Sequence, residues 1–151
     1  MKKGKRILQI IFILLTVIWA GFIFYNSYED VTTTNEISES YTERVNETIE
    51  SSGYEVTNME VRKFAHFFEF SILAVLVLIS TAVSVTKMGV GEIFAVLFIG
   101  LMAAASDETI QMFSGRDPRV QDIWIDFSGA LVGMAAIFTV RYIIKKISKH
   151  I

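Results

Sequence analysis

Four long, mostly apolar runs leave this chain few ways to fold. They cover about residues 7–25, 64–85, 91–113 and 122–144, and each is close to the roughly 20 residues with which an α-helix crosses a bilayer. In hydrocarbon every backbone N–H and C=O must be satisfied within the segment, so runs of this length become helices. The sequence therefore predicts an all-α, four-transmembrane-helix bundle, one membrane domain over residues 1–151. A long polar segment, 26–63, separates the first two spans.

The first run follows Lys2, Lys3, Lys5 and Arg6, as in a secretory signal. Its length exceeds the roughly 7–15 apolar residues of a signal core and no A-x-A-like site follows. It reads as a retained helix, with cleavage around Ala20 as the alternative.

Segment 26–63 holds nine of the sixteen acidic residues. Its apolar residues Ile37, Tyr41, Val45 and Ile49 recur every four positions, which suggests a short amphipathic helix lying on the membrane or on the rest of the protein. The alternative is a solvated loop.

Orientation follows from the basic residues. Lys2, Lys3, Lys5, Arg6, Lys87, Arg141, Lys145, Lys146 and Lys149 fall on one side and the acidic segment on the other. Both termini and the 86–91 turn are expected in the cytoplasm, with the acidic loop and the 114–121 link extracytoplasmic. Charge here reports topology, and no nucleic-acid partner is expected. The chain has no Cys, so any chemistry must use carboxylates, histidine, hydroxyls or basic groups.

Antiparallel threading brings scattered charges to one level. Arg62, Lys63, His66 and Glu69 open the second span, Asp107, Glu108 and Gln111 close the third, Arg116 and Arg119 occupy the link, and Asp122 and Asp126 open the fourth. Several have a plain reading. Asp122 suits a helix N-cap, Arg62 and Lys63 suit interfacial anchors, and His66 suits an interfacial histidine. Asp107 and Glu108 resist one, because acids at a helix C-terminus oppose its dipole by ~0.3–1 kcal/mol. Asp126 lies a turn inside its span with no capping role. The middle and inner parts of the spans are aliphatic, which argues against an ion or proton path. Gly129 and Gly133 have the small-xxx-small spacing of closely packed helices.

Asp107, Glu108, Gln111, Phe113, Gly115 and Arg116, then Asp122, Asp126, Gly129 and Gly133, together with Lys63, His66, Glu69 and Phe70, carry a resemblance to the VanZ-like family of bacterial integral membrane proteins. It covers spans two to four. The family often has Asn at the position of Asp126 and Tyr at that of Phe70. The family is named for a teicoplanin-resistance determinant, which implies a role in the cell envelope.

Two functional expectations follow. In one, an outer-leaflet site handles a lipid or lipid-linked phosphate, such as a cell-wall precursor. His66, Glu69, Asp107, Glu108 and Asp126 would act chemically there, while Lys63, Gln111, Arg116, Arg119 and Asp122 bind substrate. A divalent cation bridging Glu69, Asp107, Glu108 and Asp126 fits that picture. In the other, the protein binds an envelope lipid, a glycopeptide or a partner protein without catalysis, or the charges only lock the helices together. The structural version pairs Arg116 with Asp122 and His66 with Glu108.

Overall fold

The computed structural model describes residues 3–29, 31–85, 88–116 and 119–148, without the side chains of Val31 and Ser52. Within them the chain forms α1 (Lys3–Tyr28), α2 (Val31–Ile49), α3 (Asn58–Ser84), α4 (Val90–Phe113) and α5 (Val120–Ile147), with no strand. Helices α1, α3, α4 and α5 are the four long and apolar enough to cross a membrane. Lys2, Lys87 and Lys149, used above for orientation, and residues 117–118 of the link lie outside the described residues.

Two helix starts differ from the composition boundaries. α3 begins at Asn58 rather than at 64, because Thr57 accepts from the Glu60 backbone N–H while the Glu60 carboxylate accepts from that of Thr57. This capping box satisfies orphan donors before the apolar run begins. α5 begins at Val120 with Arg119 as its N-cap. Asp122 is therefore not the cap, although its first-turn position still favours a negative charge.

The Val31–Ile49 part of segment 26–63 is helical. α2 buries Ser38, 7% exposed, and leaves Ile37 and Tyr41 50% and 58% exposed. The predicted helix is present, but its apolar stripe is not what seats it. Asn46 then folds the following segment back, donating to Val56 O at 3.0 Å and accepting from Val56 N at 2.8 Å. The reversal passes through Gly53 at φ 70°, a left-handed conformation that costs glycine little.

α3 packs most extensively on α5 and next on α1. The α3–α5 seam is set by Gly129 and Gly133, where an added Cβ would stand 2.2 Å from the carbonyl oxygens of Phe67 and Ser71. Ser71 Oγ donates across this seam to Gly129 O at 2.8 Å. Lipid tails are as apolar as leucine, so such close backbone packing, rather than escape from water, holds membrane helices together. Ile23, Phe70, Leu73, Val77, Leu78, Val96, Ala104 and Met134 form the core between the spans. Ile18, Phe94 and Phe98 lie on its outside, each more than 60% exposed, as hydrocarbon-facing side chains do.

Candidate functional site

The polar residues collect at the end of the bundle bearing α2 and the 114–119 link. Helical spacing puts Arg62, His66 and Glu69 on one face of α3. The last turns of α4 bring Asp107, Glu108 and Gln111, and the first turns of α5 bring Asp122 and Asp126. The site thus forms where three spans present their polar ends to one another.

Its floor is Asp107, fully buried, beside Asp126, 2% exposed. Ser27 Oγ donates to Asp107 Oδ1 at 2.5 Å and Gln111 Nε2 to Oδ2 at 2.7 Å. His66 Nδ1 lies 3.6 Å from Asp107 Oδ2 and 3.8 Å from Glu69 Oε2, and makes no hydrogen bond among the described residues. Donor atoms of His66, Asp107 and Asp126 all lie within 4.8 Å of one another. Glu69 is held at the side by Asn26, whose Nδ2 donates to Oε1 at 3.3 Å, while Trp19 Nε1 donates to the Glu69 carbonyl at 2.9 Å.

Above the floor the cations are tied to different extents. Lys63 Nζ pairs with Asp122 Oδ1 at 3.4 Å, and Arg62 Nη1 donates to Asn35 Oδ1 at 3.3 Å. Arg116 Nη2 donates to Asn26 O at 3.3 Å, Glu29 O at 3.5 Å and Thr34 Oγ1 at 2.6 Å. A cation on the last carbonyls of α1 complements the helix dipole, and this one also ties α1 to α2. Burial, with the Arg62 guanidinium nearby, lowers the Arg116 pKa from its ordinary value. The Arg119 guanidinium is exposed and has no partner among the described residues.

These contacts revise the expected arrangement. Glu108, adjacent to Asp107 in sequence, points about 100° away around the helix and accepts the Arg119 backbone N–H. It pins the link and takes no part in the His66, Asp107 and Asp126 group. Among the described residues the close donor group is His66, Asp107 and Asp126, with Glu69 at its side and Glu108 outside it. Likewise Arg116 pairs with backbone and Thr34 rather than Asp122, and His66 faces Asp107 and Glu69 rather than Glu108.

Arg62, Lys63, His66, Arg116, Arg119 and Asp126 line a cavity of about 410 Å³ above this floor, with Gln111 and Asp122 also on its wall. A second cavity, about 370 Å³, opens on the other side of Arg62, His66 and Arg116, walled by Phe22, Ile37 and Tyr41. The first thus combines four cations with a deep acidic floor. Among the described residues no Ser, Thr or Cys side chain lines it.

Sequence reasoning missed Asn26, Ser27, Thr34 and Asn35. Asn26 and Ser27 follow the first apolar run directly and look like an ordinary span boundary. Only the packing of α1 against α3 and α4 shows them reaching Glu69 and Asp107.

The sequence model of the VanZ/LLP1 family matches residues 12–142, most of the chain and all the site residues named here. No curated protein and no solved structure matches.

Proposed function

The chain belongs to the VanZ/LLP1 family and is a multi-pass membrane protein, and we propose that its cavity receives the phosphate of a lipid or lipid-linked cell-wall precursor from the outer leaflet of the cell membrane. The observation carrying this reading is the convergence of Arg62, Lys63, Arg116 and Arg119 on one cavity. Guanidinium groups match phosphate oxygens in pairs. Arg119, with no guanidinium partner among the described residues, is the group we assign to first contact. Lys63 and Asp122, half-buried as a pair, open to admit the ligand, and Gln111 and Arg116 position it. His66, Glu69, Asp107 and Asp126 stand beneath the phosphate, where a proton can be held or moved. Glu108 fixes the link that carries the two arginines.

The positive-inside distribution supports an extracytoplasmic cavity and cytoplasmic termini. The envelope role implied by the family leads us to expect a change in teicoplanin susceptibility when the protein is produced or deleted.

A second reading, binding without catalysis, is favoured by a cavity wall that carries no Ser, Thr or Cys side chain among the described residues. Both readings share the phosphate and differ in whether it is turned over. The test is lipid carried through purification. Wild-type protein should retain anionic phospholipid or polyprenyl phosphate over zwitterionic lipid, and Arg119→Gln should lose most of that selectivity while folding normally. Equal lipid retention by the two would overturn the proposal. Asp126→Asn separates the two readings: loss of biological activity with lipid retained indicates chemistry, and retention of both indicates binding alone.

A further inference from the structure

We propose that His66, Asp107 and Asp126 form a binding site for a divalent transition-metal ion, Zn²⁺ or Mn²⁺, at the floor of the cavity. Each residue offers a donor atom within 4.8 Å of the other two. An ion with bonds of about 2.0–2.2 Å holds its ligands closer than this, so His66 and Asp126 would draw in toward Asp107 on binding. The three come from α3, α4 and α5, and the ion would tie together the helices that frame the site.

Three further observations point to a ligand here. First, Asp126 is 2% exposed and makes no hydrogen bond or ion pair among the described residues, yet it faces the cavity. Buried polar groups are nearly always paired, and a carboxylate directed into a cavity without a donor is placed to meet one that enters. Second, His66 Nδ1 is enclosed with no hydrogen-bond partner and points toward two carboxylates. A ring nitrogen so placed is a natural metal donor. Third, Ser27 and Gln111 already hold the two oxygens of Asp107, the outer-shell fixing that keeps a ligating carboxylate oriented.

Local charge agrees. Two buried carboxylates lie together, and among the described residues neither forms an ion pair with a Lys or Arg side chain: Lys63 pairs with Asp122, while Arg62 and Arg116 donate to neutral acceptors. A divalent ion would neutralise the pair. The donor set also selects the metal class. One imidazole with two carboxylates suits Zn²⁺ or Mn²⁺ better than Mg²⁺ or Ca²⁺, which favour oxygen shells. Three protein ligands leave coordination positions open toward the cavity. On the proposed function, with which this last step stands or falls, a phosphate oxygen occupies one of them.

The experiment uses full-length protein in detergent or nanodiscs, stripped with a chelator and titrated with Zn²⁺ and with Mn²⁺ under equilibrium dialysis with elemental analysis. A single tightly held ion per chain is expected, with Mg²⁺ competing only in large excess. Asp126→Asn and His66→Gln should each weaken uptake at least tenfold. Because those variants can fail to fold, Mn²⁺-loaded wild type is also examined by pulsed electron paramagnetic resonance, where coupling to a histidine nitrogen is expected. No uptake, or uptake without nitrogen coupling, overturns the site. Metal uptake with no preference for phosphate lipids retains the site and removes the lipid reading. Phosphate-lipid selectivity in protein that takes up no metal does the reverse.

Discussion

Gly129 lies so close to Phe67 that a Cβ on it would stand 2.2 Å from the Phe67 carbonyl oxygen. The obstacle is backbone on a neighbouring helix, which has no rotamer by which to retreat. Gly133 meets Ser71 in the same way one turn later. Gly129→Ala should therefore push α5 off α3, costing about 1–3 kcal/mol even after the ~1 kcal/mol gained in helix propensity. Gly133→Ala should do likewise. Gly21 has nothing within 4 Å of its Cβ position, and Gly21→Ala should be neutral or stabilising by up to ~1 kcal/mol. Unfolding in mixed detergent measures all three, and equal stability of Gly129→Ala and Gly21→Ala would contradict the packing described.

Much of this was legible in the sequence because a bilayer removes most alternatives. Four apolar runs could only be helices, and antiparallel threading alone brought His66, Glu69, Asp107 and Asp126 to one level. The small-residue spacing of Gly129 and Gly133 identified a close contact, but not that α3 would fill it. What composition hid were features with no apolar signature. The capping box of Thr57 and Glu60 lies ahead of the greasy residues, so the start of α3 was read too late. Ser27 resembles any hydroxyl at a span boundary until α1 packs beside Asp107. Glu108 is next to Asp107 in sequence but not on its helix face, and only the fold shows that Arg119 N is its partner.

Ser27 should matter to stability although it lies in the first span. Its hydroxyl is fully buried and donates to a fully buried carboxylate, so Ser27→Ala leaves an acceptor short of a donor, at about 1–3 kcal/mol. Thr16 is a suitable contrast, since its hydroxyl bonds only to Phe12 O one turn back in its own helix. Thr16→Val should change stability by less than about 0.5 kcal/mol. Thermal unfolding that ranks Ser27→Ala no lower than Thr16→Val would mean that α1 does not help to hold Asp107.

The natural absence of Cys makes sidedness directly measurable. Glu36, Glu55 and Lys145 are all exposed, the first two at the site end of the bundle and the third near the end of α5. Single cysteines at these positions should react with a membrane-impermeant maleimide in intact cells at 36 and 55, and at 145 only after permeabilisation. The reverse pattern would put the cavity in the cytoplasm and end the outer-leaflet proposal while leaving the metal site untouched.

Lys63 and Arg116 separate binding from scaffolding. The Lys63–Asp122 pair is about one-third exposed on each side, and ion pairs of that kind contribute roughly 0–1 kcal/mol. Arg116 instead donates to the Asn26 carbonyl of α1, the Glu29 carbonyl just after it and the Thr34 hydroxyl of α2, so its removal strands several acceptors at once. Lys63→Met should leave stability within about 1 kcal/mol of wild type while lowering retention of phosphate lipids several-fold. Arg116→Met should lower stability by about 2–3 kcal/mol and bring lipid retention down with it. A double-mutant cycle on Lys63 and Asp122, read for both properties, tests this division. A large stability coupling with unchanged lipid retention would make the pair a helix lock and favour the purely structural role of the charges.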